Sequence, residues 1–227
     1  MELNADFSER VAVRDEDNPW RASPAKGVER KMLDRIGDEV ARATTIVRFA
    51  EGSEFAPHTH GGGEEFIVLE GVFQDEHADY PVGSYVRNPP TSSHTPRSEP
   101  GCTIFVKLWQ FDPEDRQHVV IDMNAVDLRP DAERPGVASA TLFHDRFEHV
   151  SRERWDAGAT VTVDTQGGAE VLVLSGSVSD GLNSYGPRDW IRVPDSEALA
   201  LTAGKKGADL WIKTGHLIHA KPPAVAA

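Results

Sequence analysis

Short apolar runs separated by turn residues dominate the pattern along this chain. Each run is rich in β-branched or aromatic residues, and the 15 prolines and 19 glycines of the chain fall largely between the runs. Because no window carries a long apolar stripe of 3.6-residue period, the pattern predicts many short strands with helix as a minor component. The clearest runs are Thr45–Phe49, Phe66–Leu69, Ile104–Leu108, Val161–Val163, Val171–Leu174 and Leu210–Lys213.

The runs occur in two copies separated by about 105 residues. A constant offset over three separated segments indicates a duplicated unit of the size of a small domain. We therefore expect an all-β chain of two domains, residues 1–121 and 122–227, joined through a polar, proline-containing stretch. The matching segments are Glu65–Gly71 with Glu170–Gly176, Tyr85–Pro89 with Trp190–Pro194, and Ile104–Lys107 with Leu210–Lys213.

Composition narrows the classes of function. The formal net charge of −13 disfavours nucleic acid and anionic membranes as partners. The single cysteine, Cys102, excludes a disulfide within the chain and is expected to be a small buried apolar residue. Residues 1–10 have no apolar core of a signal peptide, and no apolar run approaches the roughly 20 residues that span a bilayer. We therefore expect a cytoplasmic protein.

One segment carries a candidate metal site. His58 and His60 are two residues apart, so both imidazoles point to one face of a strand. Glu64 follows a turn of three glycines at the start of the next strand, and His94 follows a later strand and a proline-bounded loop. Three imidazoles and a carboxylate form a ligand set that suits a first-row transition metal.

These residues resemble the two motifs of the cupin superfamily. The first motif, G(x)5HxH(x)3–4E(x)6G, is matched in full from Gly52 to Gly71. The second, G(x)5PxG(x)2H(x)3N, is matched in spacing from Gly83, although Thr91 replaces the glycine and Ser98 replaces the asparagine. The resemblance implies a double cupin, in which two tandem jelly-roll β-barrels of the RmlC-like type follow each other, with His58, His60, Glu64 and His94 as metal ligands in the first.

Finer features are similar to the ChrR-type cupins. They are the Gly-Gly-Glu-Glu turn, the pair Asp75-Glu76, the segment Arg87–Pro90 and the segment Ser93–Pro96. In the ChrR anti-sigma factor, a separate zinc-binding helical domain holds the sigma factor. Residues 1–40 contain neither cysteine nor histidine, so we expect no sigma factor as partner. We expect a small-molecule substrate instead and leave a homodimer open.

Residues around the candidate ligands can have structural or functional roles. Glu65 is expected to point out of the barrel and to form a surface or inter-strand salt bridge. Arg87 and Lys107 recur as Arg192 and Lys213 in the second copy, which favours structural roles. Phe66 and Tyr85 are candidates for lining a pocket, with core packing as the alternative. The remaining histidines have no supporting motif and are expected at the surface or in structural roles: His77, His118, His144, His149, His216 and His219.

The second copy is expected to lack a complete ligand set. Two alignments are open, and in both Leu199 replaces the histidine of the second motif. The gapless alignment places Val163, Thr165 and Ala169 at the other three ligand positions. A one-residue gap would place Asp164, Gln166 and Glu170 there instead.

A single divalent transition metal per chain, Fe, Mn or Zn, is the expected cofactor. Four protein ligands leave positions free on an octahedral metal, where a diketone or hydroxyketone can chelate. The resemblance favours a metal-dependent dioxygenase that acts on such a small substrate. A ChrR-like module that senses a ligand or oxidative stress and a metal-dependent isomerase, lyase or hydrolase are the alternatives, since fold alone does not decide function.

Overall fold

The computed structural model describes residues 1–38, 40–221 and 223, and the chain divides into two compact units. The first unit contains Met1–Ala5, Pro19–Asn124 and the described residues after Ala220. The second unit contains Asp6–Asn18 and Ala125–Ala220. The segment 6–18 therefore belongs to the unit that follows it by more than a hundred residues. The domain limits 1–121 and 122–227 stay a prediction.

Both units consist of antiparallel strands. The strands of the first unit are β1 (Glu2–Leu3), β3 (Arg21–Ala22), β4 (Val28–Gly37), β5 (Ala41–Phe49), β6 (Ser53–Glu54), β7 (His58–Thr59), β8 (Glu64–Gln74), β9 (Asp79–Pro81), β10 (Ser84–Asn88), β11 (Ser93–His94), β12 (Arg97–Ser98), β13 (Cys102–Leu108) and β14 (Val119–Asp122). Those of the second are β2 (Val11–Val13), β15 (Arg129–Pro130), β16 (Val137–His144), β17 (His149–Trp155), β18 (Thr160–Val163), β19 (Ala169–Ser179), β20 (Ser184–Tyr185), β21 (Trp190–Val193) and β22 (Leu199–Thr214).

The duplication predicted from the sequence is visible in the strand order. The main sheet of the first unit runs β1-β4-β5-β13-β8-β10-β14, and that of the second runs β15-β16-β17-β22-β19-β21-β2. The described residues contain a single helical element, the 3-10 helix Leu217–His219, and no helix with the length and apolarity that a bilayer-spanning segment needs. The expected all-β fold with helix as a minor component is confirmed.

The last strand of each main sheet comes from outside the repeated barrel sequence. In the first unit β14 pairs with β10 along four residues, and in the second β2 pairs with β21 along three. Arg10, just before β2, adds an ion pair of 2.7 Å to Asp180. Each sheet therefore ends in a short strand, and short edge strands limit the open backbone groups that would otherwise invite association.

Strand alternation divides the first unit into an apolar inner face and a buried polar outer face. Along β8, Glu64, Phe66 and Val68 share one face while Glu65 points to the other. Glu65 is only 1% exposed, accepts a hydrogen bond of 2.5 Å from the Tyr85 hydroxyl and pairs with Arg87 at 3.5 Å. Of the two interactions left open for Glu65, the inter-strand salt bridge is therefore the one present, since the side chain is buried.

Cys102 lies at the start of β13 and is 4% exposed. Burial raises the pKa of its thiol to about 11, against a smaller lowering by a hydrogen bond with Ser98. A thiol with such a pKa stays protonated and is a poor nucleophile near neutral pH. The expectation of a small buried apolar residue is confirmed.

The turn at Gly71 gives a test of the fold. Gly71 has φ +68°, and a Cβ placed there would overlap the carbonyl oxygen of Gly101. Gly52 has a similar φ of +71°, but nothing lies within 4 Å of the added Cβ. We expect Gly52→Ala to lower the free energy of unfolding by about 1 kcal/mol and Gly71→Ala by about 3 kcal/mol or more, because only the second adds a backbone clash to the strain.

Urea unfolding of both variants, followed by tryptophan fluorescence, measures this difference. Equal losses of stability in the two variants would show that the close approach of β8 and β13 at Gly71 is wrong.

Candidate metal centre

The four candidate ligands meet at one end of the first unit because of two strand registers. In the two-stranded sheet of β7 and β11, His58 lies directly opposite His94. Glu64 is the first residue of β8 and lies opposite Asn88 of β10. His60 is two residues beyond His58 and is held by its backbone, whose N–H donates to the carbonyl of Ser92 at 2.9 Å.

The ligand atoms of His58, His60, Glu64 and His94 all lie within 4.8 Å of one another. The Nε2 atoms of His60 and His94 are 3.2 Å apart, and each lies 3.4–3.5 Å from Oε2 of Glu64. Donor atoms roughly 2.1 Å from a metal lie roughly 3.0–3.4 Å apart at angles of 90–109°. The spacing of the His60, Glu64 and His94 atoms is thus close to that of adjacent positions around one transition-metal ion.

Each imidazole uses its Nδ1 atom for a contact with the protein. Nδ1 of His58 lies 3.1 Å from the carbonyl of Ala56, Nδ1 of His60 lies 3.0 Å from Oγ of Ser92, and Nδ1 of His94 lies 3.2 Å from Oδ2 of Asp75. Such contacts fix the ring orientation and the tautomer that leaves Nε2 available to a metal.

Glu64 is also oriented by its neighbours. Nδ2 of Asn88 donates to Oε2 of Glu64 at 3.1 Å, and Oδ1 of Asn88 lies 3.0 Å from Nε2 of His118. His118, which was expected at the surface or in a structural role, is exposed and lies one contact away from a candidate ligand. This chain of contacts limits the rotamers of the carboxylate, as a preorganised site requires.

The charges around His94 shift several pKa values. Burial lowers the pKa of His94, but the hydrogen bond to Asp75 and the charges of Glu64 and Asp75 outweigh it, so the net shift is upward. Burial lowers the pKa of His60, which the charge of Glu64 opposes. Burial raises the pKa of Asp75, but the hydrogen bonds from His94 and from the backbone of His77 and Ala78 bring it below its usual value. Asp75 is thus an anion, and its negative charge favours a positive charge on His94 or on a metal ion that His94 binds.

A cavity of about 270 Å³ opens beside the ligands. Its polar side includes His58, His60 and Glu64, and much of the remainder is apolar. Trp109 lies against the turn of three glycines, where a Cβ on Gly61 would come within 2.7 Å of the indole. The glycines therefore permit Trp109 to form part of the cavity wall.

The two pocket candidates of the sequence lie elsewhere. Phe66 packs in the apolar core against Phe73, with ring centroids 4.6 Å apart, and Tyr85 points to the outer face toward Glu65. Neither lines the cavity. Core packing, the alternative interpretation for both, describes the surroundings of Phe66, whereas Tyr85 is buried beside Glu65 on the polar outer face.

Asp75, Arg30 and Arg35 are among the contributors that the sequence reasoning missed. Asp75 is followed by a turn in which it accepts backbone hydrogen bonds from His77 and Ala78, a local pattern that Asp favours. That turn was visible in the sequence, but its contact with His94 was not. The cavity is also lined by Arg30 and Arg35 of β4, for which the sequence offered no signal.

The second unit carries three apolar side chains and one threonine, Thr165, at the equivalent positions. Val163 pairs with Leu199 as His58 pairs with His94, and Ala169 begins β19 as Glu64 begins β8. This register agrees with the gapless alignment, while Glu170 is equivalent to Glu65. Among the described residues, the cluster in the first unit is the only group of three or more such side chains close enough to hold a metal.

Comparison with known proteins supports a cupin. The family model of the ChrR cupin-like domain matches residues 8–112. No curated protein matches the sequence.

Solved structures match nearly the whole chain at low sequence identity. A protein from Nostoc punctiforme proposed to be a dioxygenase has a TM-score of 0.76 and 11% identity, over 97% of this chain and 88% of its own. The nickel(II) complex of a bacterial pirin from Escherichia coli has a TM-score of 0.68 and 10% identity, over 90% and 98%. A cupin 2 conserved barrel domain protein from Leptotrichia buccalis has a TM-score of 0.61 and 10% identity, over 93% and 98%. At such identities these likenesses establish the fold alone.

Asp75 gives a test of the site that leaves the four ligands intact. In Asp75→Asn, one side-chain oxygen can still accept the two backbone hydrogen bonds, but an amide group replaces the oxygen that faces His94. We expect metal affinity to fall about 10–100-fold, because Nδ1 of His94 loses its acceptor and the ligating tautomer is disfavoured. Competition with a chromogenic chelator measures the affinity.

Asp79→Asn is the matched control, since Asp79 lies on the exposed side of the adjacent strand and bonds Gln74 instead. Unchanged affinity in Asp75→Asn, or an equal loss in both variants, would contradict the role of Asp75.

Proposed function

Because this chain carries a ChrR cupin-like domain, we propose that it is a metal-dependent dioxygenase. One divalent transition metal, Fe, Mn or Zn, is held by His58, His60, Glu64 and His94, and Fe is the ion that serves this reaction. The substrate is a small molecule of the diketone or hydroxyketone type.

The observation that carries the proposal is the position of the ligands at the wall of a cavity. Structural zinc sites are closed, whereas catalytic sites leave a position for substrate. Three of the four ligands line the cavity, and His58 is itself exposed. A metal in this cluster is therefore accessible to a small ligand.

When bound, iron supplies Lewis acidity and redox chemistry toward O₂. The residues of the chain fix the geometry and the medium. Asp75 and Ser92 hold two imidazole rings, and Asn88 holds the carboxylate of Glu64. Apolar side chains of the cavity, among them Phe49 and Trp109, reduce the water around the substrate and so strengthen electrostatic interactions in the site.

A change of one ligand tests the proposal. His94→Gln keeps the size of the side chain but removes the imidazole that Asp75 orients, so we expect the metal content to fall from about one ion per chain to less than about a tenth. Leu199→Met changes the equivalent position of the second unit and should leave the metal content unchanged. Elemental mass spectrometry of protein purified without chelator or nickel resin gives both values.

An oxygen electrode then tests the reaction class. We expect Fe(II)-loaded protein to consume O₂ with at least one member of a panel of diketones and hydroxyketones, and His94→Gln to consume none. Turnover under strictly anaerobic conditions would assign the chain to isomerases, lyases or hydrolases instead. A loaded protein that turns over nothing but releases its metal on treatment with peroxide or singlet oxygen would favour a sensor.

A further inference from the structure

Two arginines face the cavity that the metal ligands line. Arg30 and Arg35 both lie on β4 and both line the cavity of about 270 Å³ that contains His58, His60 and Glu64 in its wall. Arg35 is 9% exposed. Such placement is unusual, because a buried charge is costly unless it is paired.

A β-bulge brings both side chains to the inner face. Residues five apart in a regular strand point to opposite faces. The register of β4 with β5 shifts between Met32 and Asp34, so that Leu33 has no partner. Arg30 then lies opposite Val47 and Arg35 opposite Ala43, two positions that share a face of β5 because they are four residues apart.

Neither guanidinium is joined by an ion pair to a carboxylate among the described residues. Arg30 donates to Oγ of Ser23 at 2.7 Å, and Arg35 donates to the backbone carbonyls of Gly37 and Asp38. The carboxylate of Asp38 contacts the N-terminal amine at 2.6 Å. Burial and then the charge of Arg30 lower the pKa of Arg35, against a smaller effect of Asp38. The two guanidinium groups thus repel each other, and an anion bound by both would offset that repulsion.

The two arginines also stand at the boundary of a second cavity. This cavity, of about 320 Å³, is lined by Arg21, Arg30 and Arg35 together with Asp38. Arg21 lies directly opposite Arg30 in the pairing of β3 with β4. In a chain of net charge −13, a local excess of arginine attracts anions toward the metal cavity.

Comparison with the second unit distinguishes residues that the fold requires from residues that belong to the site. The bulge recurs there between Thr141 and Phe143, so the fold does not require an arginine beside it. The register places Ser139 at the position of Arg30 and His144 at that of Arg35. Both arginines are therefore absent from the unit that also lacks the metal ligands, whereas Arg87 and Lys107 recur in it as Arg192 and Lys213.

We propose that Arg30 and Arg35 bind a carboxylate of the substrate, so that the substrate is a small acid whose other oxygen atoms reach the metal. This inference rests on the proposed function for the metal end of the site. The ligand class is a diketo or hydroxyketo acid, and guanidinium groups suit its carboxylate because they donate in a fixed, planar geometry.

A pair of probes isolates the carboxylate. Pentane-2,4-dione and 2,4-dioxopentanoate have the same diketone, and only the second has a carboxylate. Titration calorimetry of the metal-loaded full chain, with metal content measured before and after, gives both affinities. We expect 2,4-dioxopentanoate to bind at least tenfold more tightly, and Arg30→Gln/Arg35→Gln to abolish that preference while retaining the metal and the affinity for pentane-2,4-dione.

Two further variants complete the comparison. Arg48→Gln is the matched control, since Arg48 lies on the neighbouring strand, pairs with Glu29 at 2.5 Å and should leave the preference intact. If the double variant does not fold, Arg30→Gln alone tests the assignment, because Arg30 is the less buried of the two arginines. This variant should reduce the preference for 2,4-dioxopentanoate at least threefold.

The outcomes distinguish this inference from the proposed function. Equal binding of the two probes, or a preference that survives the loss of Arg30 and Arg35, overturns the assignment of the arginines. Arginine-dependent binding of 2,4-dioxopentanoate by a chain that takes up no metal supports the arginines and contradicts the proposed metal chemistry. A chain that binds metal but neither probe overturns the assignment as well.

Discussion

The site depends on the antiparallel pairing that sets His58 of β7 opposite His94 of β11. A slip of one residue in that register would turn one imidazole out of the barrel, because adjacent side chains point to opposite faces. The same constraint acts where Glu64 meets Asn88. The ligands come from separate segments of the chain. Backbone hydrogen bonds bring them together, since three imidazoles by themselves have no attraction that would do so.

The sequence could predict those parts of the structure that follow from local periodicity and repetition. The all-β fold, the duplication and the four clustered side chains followed from short apolar runs, a constant offset and a two-residue histidine spacing. The surroundings of Tyr85 could not be predicted, because its face depends on the register of β10 with β8. Arg30 and Arg35 were missed for a similar reason. One bulged residue reverses which face of β4 the following side chains occupy, and the residue types give no indication of this bulge.

Comparison of the two units distinguishes residues that the barrel fold requires from residues that the metal site requires. A buried acid, a buried arginine and a buried lysine on the outer face occur in both, as Glu65, Arg87 and Lys107 and as their counterparts. On the inner face the second unit has Val163, Leu199 and Ala169, which are buried in its apolar core. Apolar packing there needs no preorganised partners, whereas the first unit retains costly polar groups in the corresponding place.

The strand β2 has a consequence for how the chain is made. β2 is synthesised before its partner β21, which follows roughly 180 residues later and, at roughly 5–20 residues per second, on the order of 10–40 s later. β21 is thus paired by a strand that is synthesised well before it. Val11, Ala12 and Val13 are few and separated from longer apolar runs by charged neighbours, a composition that suits a segment exposed for that interval.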